Sequence, residues 1–248
     1  MRQRLDVEMM RRGLAESREM ARRLVMEGRV RVDSQPALKP DLKVDAATDI
    51  SVLPGGPEYA SRGGYKLAAA LERFGVRVEG RRALDVGAST GGFTDVLLRN
   101  GAAMVVALDV GYGQLAERLR HDQRVVVMDR TNIRYVTPDD LPYRPDLIVI
   151  DTSFISLELV LPAVIRLAAE QAEVIALVKP QFEVGKGKVG KGGVVRDEAM
   201  RAEALEKIVS FAGALGLEVA GTMESPIKGP AGNVEYLVLM RWKGAGAR

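Results

Sequence analysis

Two lysines and two acids, far apart in the chain, carry the clearest chemical signal: Lys66, Asp151, Lys179 and Glu235. Asp151 closes the apolar run Leu147-Ile148-Val149-Ile150, and Lys179 closes Val174-Ile175-Ala176-Leu177-Val178. A lysine at the end of a buried strand is unusual, because burying an ammonium is costly unless a carboxylate pairs with it. Asp151 can supply that partner. Glu235 heads a late apolar run, Val234 to Leu239, and Lys66 opens a helix ahead of the first strand. Amines and carboxylates gathered in this way can bind or move a proton. They can equally be two buried ion pairs with no chemistry at all. Other routes are closed. The chain has no cysteine and one histidine, His121, in the polar stretch Arg120-His121-Asp122. Thiolate zinc sites, iron–sulfur clusters, cysteine nucleophiles, His-rich metal sites and most histidine triads are excluded. No metal site is expected, and catalysis must run on Lys, Asp, Glu, Ser, Tyr or a cofactor.

A cofactor site is legible in Leu84-Asp85-Val86-Gly87-Ala88-Ser89-Thr90-Gly91-Gly92-Phe93. This reads as a strand, a glycine turn and a helix start, which lets backbone approach a ligand and offers free N–H groups. A nicotinamide-type fingerprint would carry a glycine two residues after Gly87, and this turn does not. Asp85, two residues before Gly87, fits an S-adenosylmethionine turn better. Two further apolar runs end in acids, Met104–Asp109 and Val125–Asp129. Ligands of open α/β sheets bind at the carboxyl ends of strands. Asp109 is therefore expected at ribose hydroxyls and Asp129 near an adenine amino group. Each acid taken alone is also a common cap or turn former.

The elements that must position these residues alternate from Leu84 onward between strand-like and helix-like segments, the mark of a largely parallel sheet covered by helices. At 248 residues, 47% hydrophobic and 28% charged, the chain has globular composition and room for one large domain plus a small module. Its net charge of +3 permits a nucleic-acid partner without demanding one. No apolar run is long enough to span a membrane, and Met1 to Asp6 shows no signal-peptide character, so a cytoplasmic protein is expected. The stretch Pro54-Gly55-Gly56-Pro57 breaks both helix and strand. Boundaries follow: a module over 1–53, a linker over 54–61 and a main domain over 62–248.

In the module, Val7, Met10 and Leu14 fall at helical spacing, with Gly13 as the stop. Ser17 is placed to cap a second helix whose inner face is Met20, Ala21, Leu24 and Val25, and Gly28 ends it. Val30–Asp33 and Ile50–Val52 read as short strands. Arg18, Arg22, Arg23, Arg29 and Arg31 cluster around the second helix, and Arg4 precedes the first. They can bind phosphates, since guanidinium forks match phosphate oxygens, or form a solvated face with i,i+4 pairs. The loop Gly185–Gly193, with Lys186 and Lys188, is either a flexible connection or a clamp on RNA phosphates.

Arg4-Leu5-Asp6, Gly13-Leu14-Ala15, Ser17-Arg18, Ala21-Arg22 and Gly28-Arg29-Val30-Arg31-Val32 resemble the small RNA-binding module of ribosomal protein S-four and pseudouridine synthases. Lys66, Asp151, Lys179 and Glu235 resemble the Lys-Asp-Lys-Glu tetrad of FtsJ-like ribose 2′-O-methyltransferases. Gly87–Thr94, Asp109–Gln114, Ser153–Leu157, Lys179–Lys186 and Gly232–Tyr236 are similar to the TlyA family, so the likeness spans nearly the whole chain. It implies a Rossmann-like α/β methyltransferase domain behind a small α+β RNA-binding module. The implied activity is S-adenosylmethionine-dependent 2′-O-methylation of a cytidine in ribosomal RNA, free or in ribosomal subunits.

The resemblance puts Lys179 at the ribose hydroxyl, as a base if desolvation or Lys66 favours the neutral amine, or as a positioning group. Asp151 would orient that amine, and Glu235 would hold Lys66 or the sugar. The implied cofactor residues are Asp85, Gly87, Ser89, Thr90, Gly91, Gly92, Phe93, Asp109 and Asp129. Two features depart from the family pattern. Relatives commonly carry Arg-x-Trp-Val before Ser61-Arg62-Gly63, where this chain reads Gly56-Pro57-Glu58-Tyr59-Ala60. The chain also stops soon after its last strand, like members expected to act on the large subunit. The competing readings are a non-catalytic RNA-binding assembly factor and, from the family's haemolysin label, a membrane-active protein. The first does not account for an intact tetrad, and the second finds no membrane-seeking segment.

Overall fold

The computed structural model describes residues 2–26, 28–37, 39–53, 59–185, 187, 189–190 and 192–244. The chain divides into two compact units, Met1–Tyr65 and Lys66–Arg248.

In the first unit, β1 (Gln3–Arg4) runs straight into α1 (Leu5–Arg11), and α2 (Arg18–Met26) follows. Then come β2 (Val30–Val32), β3 (Gln35–Pro36), β4 (Lys43–Val44) and β5 (Ile50–Val52). β1 pairs with β4, and β2 lies between β3 and β5, all antiparallel. Ser17 caps α2 as its sequence position predicts, accepting the Met20 amide at 3.0 Å. Gly28 leaves the helix with φ +74°, a conformation that favours glycine.

The first helix corrects the sequence reading. Leu5 and Met9 face the core, Met10 is exposed, and Leu14 packs on the core from beyond the helix end. The helix starts at Leu5 because the paired strand β1 ends at Arg4, and that start sets which face turns inward. The same rotation buries Asp6 and Glu8. Each is neutralised by two arginines: Arg4 and Arg18 at 3.0 Å on Asp6, Arg11 at 2.5 Å and Arg12 at 2.6 Å on Glu8. Burial pushes the Asp6 carboxyl up, but the hydrogen bonds from Arg4 and Arg18 outweigh it and hold it below the usual range. Arg11 and Arg12 hold Glu8 at about 2.

The second unit opens with α3 (Gly64–Phe74), whose first residues precede the boundary, and continues through β6 (Arg82–Val86), α4 (Gly92–Arg99), β7 (Met104–Leu108), α5 (Glu117–Arg120) and β8 (Val125–Met128). β9 (Leu147–Ile150), α6 (Leu157–Leu167), β10 (Ala172–Val178) and the short α7 (Pro180–Glu183) come next. The long α8 (Glu198–Ala214), β11 (Glu218–Glu224) and β12 (Tyr236–Trp242) complete it. The sheet order is β11-β12-β10-β9-β6-β7-β8, with β12 antiparallel to both its neighbours, β11 and β10, and the remaining pairs parallel. β11 is not singled out by its sequence. It is an edge strand that alternates exposed and half-buried residues and carries a bulge between Val219 and Gly221.

From β6 the chain builds outward to β7 and β8, then returns to add β9 on the other side. That reversal opens a crevice between the carboxyl ends of β6 and β9. The strands beneath it are apolar because both faces are covered by helices, and Leu147 to Ile150 are fully buried. We expect Ile148→Ala to cost about 2–5 kcal/mol, seen as a lower urea midpoint at unchanged slope. A loss under about 1 kcal/mol would show that β9 is not the packed centre of this unit.

Candidate active site

The four residues that the sequence brings forward meet in one chain of charges in the second unit. Lys66, on the first turns of α3, places its Nζ 2.6 Å from Oε2 of Glu235, which precedes β12. The same ammonium lies 4.0 Å from Oδ2 of Asp151, at the end of β9. The other oxygen, Asp151 Oδ1, is 2.6 Å from Nζ of Lys179, at the end of β10. Lys66, Lys179 and Glu235 are all buried. Two cations alternating with two anions cancel each other's burial cost, whereas removing one member typically costs about 3–5 kcal/mol. β9 and β10 are parallel neighbours with Ile150 opposite Ala176, so Asp151 and Lys179 both emerge at the carboxyl edge of the sheet, where their side chains meet. The antiparallel pairing of β10 with β12, Val178 opposite Tyr236, delivers Glu235 to the same end.

The crevice between β6 and β9 is a cleft of about 520 Å³. Its walls include Gly87, Ser89, Asp109, Gln114, Asn132 and Asp151. Gly87 has φ +88°, and a Cβ there would come within 2.7 Å of the Asp151 carbonyl oxygen, so this turn requires glycine. Asp109 accepts the Ser89 amide at 2.8 Å and the Gly111 amide at 2.7 Å, and lone pairs remain on its oxygens for a ligand's hydroxyls. The cleft fits a nucleoside-bearing cofactor: a glycine cradle at one wall, a carboxylate at the end of β7, and apolar Leu108 and Ile133 between them.

Several residues expected at the cofactor stand elsewhere. Asp85 is fully buried behind the turn, where it accepts the Thr94 hydroxyl at 2.7 Å. Its other oxygen has no hydrogen-bond partner among the described residues. Burial, reinforced by repulsion from Asp151 and Asp109 and opposed by Thr94, pushes its carboxyl up to about 7. Thr90, Gly91, Gly92 and Phe93 build the turn and α4 and are not among the cleft walls. Asp129 turns to Arg120 at 2.9 Å and to the Gly113 amide at 3.1 Å, and Thr131, Asn132 and Ile133 line the cleft in its place.

A second cavity, of about 310 Å³, adjoins the tetrad and is mostly apolar. Lys179, Glu235, Phe182 and Pro230 line it, and Ser153 and Phe154 line both cavities. The Lys179 ammonium donates to the Ser153 hydroxyl at 2.9 Å. Phe154 is 91% exposed and holds φ +65°, which is strained for a bulky residue. Its ring meets Phe182 at 5.2 Å. Buried Glu183 secures the two turns, accepting the Ser156 hydroxyl at 2.6 Å and the Leu157 amide at 3.0 Å. Sequence reasoning did not select Ser153 or Phe154 as site residues. The available signal was an aromatic three residues after a strand-ending acid, outside any apolar period.

Residues 59–242 match the FtsJ-like methyltransferase model, and residues 3–50 match the S4 domain model. The 16S/23S rRNA (cytidine-2′-O)-methyltransferase TlyA of Mycobacterium tuberculosis is 53% identical over 97% of this chain and 90% of its own length. The chain belongs to the TlyA family of FtsJ-like methyltransferases. A solved structure from Streptococcus thermophilus that carries the family's hemolysin label is 43% identical, with a TM-score of 0.75 over 97% of this chain and 88% of that one. An S-adenosylmethionine-dependent methyltransferase from Listeria monocytogenes, 11% identical, shares the fold alone, with a TM-score of 0.55 over 73% of this chain and 98% of that one. Among the described residues, no helix is long and apolar enough to cross a membrane.

The TlyA-family arginines of the first unit divide by role. Arg4 and Arg18 share Asp6 as an anchor, and Arg22 and Arg23 are exposed on α2. Arg29 points inward, its Nη2 donating to the Leu53 carbonyl at 3.2 Å, and Arg31 lies 5.9 Å from the centre of the Tyr65 ring. Lys186 and Lys188 lie outside the described residues.

The position of Asp85 has a measurable consequence. Its folded value of about 7 lies above the roughly 3.9 of an unfolded aspartate, so the folded state binds the proton more tightly. Stability from this group is full below about pH 4, falls as pH rises towards 7 and is lost above that. Asp85→Asn should therefore show a smaller drop in Tm between pH 5 and pH 8 than the parent. Equal drops would refute the assignment.

Proposed function

We propose that the protein transfers a methyl group from S-adenosylmethionine to the 2′-hydroxyl of a cytidine ribose in ribosomal RNA. One observation carries this reading. Asp151 lines the cofactor cleft, Lys179 lines the neighbouring cavity, and the two are joined at 2.6 Å. The reacting oxygen and the methyl group would meet at that junction. The names of relatives support ribosomal RNA as substrate: the Mycobacterium tuberculosis protein is named for both 16S and 23S rRNA. Such a substrate implies work in the cytoplasm.

When bound, S-adenosylmethionine supplies an electrophilic methyl carbon on a sulfonium. Gly87 and Ser89 would cradle it, and Asp109 would accept from its ribose hydroxyls. A ribose hydroxyl is a poor nucleophile and must shed its proton as the new oxygen–carbon bond forms. Lys179 is placed to meet it. Two of its hydrogen bonds go to Asp151 and Ser153, which leaves one direction of Nζ for the substrate. In the neutral form that direction is a lone pair that takes the proton. In the ammonium form it is an N–H that orients the oxygen, and the rate comes from proximity. Glu235 holds Lys66, and Lys66 counters Asp151 from its far side. Phe154 offers an exposed ring for the target base, a contact worth about 1–3 kcal/mol in other single-stranded complexes. The module over 1–53 would grip structured RNA through Arg4, Arg18, Arg22 and Arg23, joined by a linker over 54–61 to the catalytic domain over 62–248.

The test is methyl transfer from labelled S-adenosylmethionine to ribosomal subunits that lack the modification. The parent should label one or both rRNAs. Lys179→Ala should lose at least about 100-fold in rate while binding the cofactor normally. A parent that binds the cofactor but labels neither rRNA would overturn the substrate assignment. A pH–rate profile unchanged in form by Lys179→Arg would remove the base role and leave positioning.

A further inference from the structure

The cavity beside the tetrad contains two polar atoms that the methyl-transfer mechanism does not use. Its polar side chains are Ser153, Lys179, Gln181, Asn233 and Glu235. Most of their hydrogen-bonding capacity is engaged. Lys179 is held by Asp151 and Ser153. Asn233 fastens a neighbouring loop, donating to the Gly193 carbonyl at 2.8 Å and accepting the Val195 amide at 2.9 Å. Glu235 gives Oε2 to Lys66. What is left is Oε1 of Gln181 and Oε1 of Glu235, each buried with no hydrogen-bond partner among the described residues. Asp85 Oδ1 is the one other side-chain oxygen among the described residues in that state.

A buried acceptor without a donor costs about 1–3 kcal/mol, and native proteins keep few of them. Two in one mostly apolar cavity, walled by Phe154, Phe182 and Pro230, call for donors that enter with a ligand. Their placement says which part of the ligand brings those donors. Gln181 is the second residue after Lys179, on the turn α7 that Lys179 caps. Glu235 Oε1 lies against Gly229, where a Cβ would collide with it, and Pro230 and Ala231 beyond line the same cavity. With a ribose oxygen at Lys179, the base on the adjacent ribose carbon is carried past the amine. Phe154 offers a ring to the face of that base, and its hydrogen-bonding edge is left for Gln181 and Glu235. Stacked, splayed-out bases read along their edges are the usual basis of sequence-specific RNA recognition.

The edge that satisfies two acceptors carries an amine. The exocyclic amine of cytosine has two N–H donors, whereas uracil has a carbonyl oxygen at the same position. The Gln181 amide can turn over and offer Nε2 to that carbonyl. The Glu235 oxygen has no such freedom, since the anion paired with Lys66 only accepts. A carbonyl there would face a carboxylate and leave it unpaired. We propose that Gln181 is a specificity-determining residue which, together with Glu235, reads the exocyclic amine of the target base and so selects cytidine over uridine. The proposal deepens the ribosomal RNA reading and rests on it.

The experiment compares the full-length parent with Gln181→Ala, Gln181→Leu and Gln181→Glu. For each, kcat/KM of methyl transfer is measured on unmodified subunits that carry cytidine or uridine at the nucleotide the parent labels, with cofactor affinity. The parent should favour cytidine at least about 100-fold, because a site built to hydrogen-bond a group rejects the analogue lacking it. Gln181→Ala and Gln181→Leu should lose at least about tenfold on cytidine and change less than about threefold on uridine, so the preference narrows. Gln181→Glu keeps acceptor oxygens in place and should keep the preference. Cofactor affinity within about twofold of the parent shows that a variant is folded, and Leu fills space that Ala would leave open. Damage to Lys179 or to folding lowers both rates together and leaves their ratio unchanged. An unchanged ratio in Gln181→Ala and Gln181→Leu would overturn the proposal, as would a parent that methylates uridine as readily as cytidine. A preference lost equally in Gln181→Glu would overturn it too. If the parent labels no ribosomal RNA at all, the underlying reading fails, and this outcome is distinct from an unchanged ratio.

Discussion

The alternating chain Glu235–Lys66–Asp151–Lys179 is the constraint on which the catalytic unit depends. Each member is buried or nearly so, and each is tolerable only because the next is present. Its members come from four separate places: the start of α3, the ends of β9 and β10, and the approach to β12. The sheet cannot slip its register without separating a charge pair. Charges that cost stability when parted thus also specify the one alignment in which Lys179, lining one cavity, meets Asp151, lining the other.

Around this chain the sheet topology decides where a ligand can go. The reversal between β6 and β9 opens the crevice, and glycine at position 87 lets the Asp151 carbonyl close against the turn. Glu183 then ties the end of β9 to the end of β10 through Ser156 and Leu157. That tie holds Phe154 in its strained, exposed geometry, and strain of this kind persists only where surrounding structure enforces it. The cofactor wall is rigid for the same reason: Asp109 is clamped by two backbone amides before any ligand arrives.

The two units solve the problem of placing cations by different means. In the first, buried Asp6 and Glu8 act as anchors, so their arginines are oriented at the expense of part of their charge. On the second unit Arg144 and Arg166 are instead oriented by backbone carbonyl oxygens, which are neutral acceptors. Both leave guanidinium groups pre-ordered, which lowers the entropy lost when a polyanion is bound.

Much of the protein is legible in residue order. Strand-length apolar runs ending in acids, the glycine turn at 87, the Ser17 cap and the break after Leu53 are local patterns with local causes. They are enough to indicate a Rossmann-like sheet behind a small basic module. The tetrad residues were legible as types, because a lysine closing a buried strand demands a partner. Which residues pair was not local: Lys66 and Glu235 lie 169 positions apart, and only the folding of α3 and the approach to β12 onto the same end of the sheet brings them to 2.6 Å. Tertiary structure alone sent Asp85 behind the turn, moved Asp129 to Arg120 and left Phe154 in the open. It also rotated α1 so that two acids face inward. The physical reason is common to all of these. Periodicity records how often a side chain faces a given side, whereas burial and pairing depend on what distant segment arrives there.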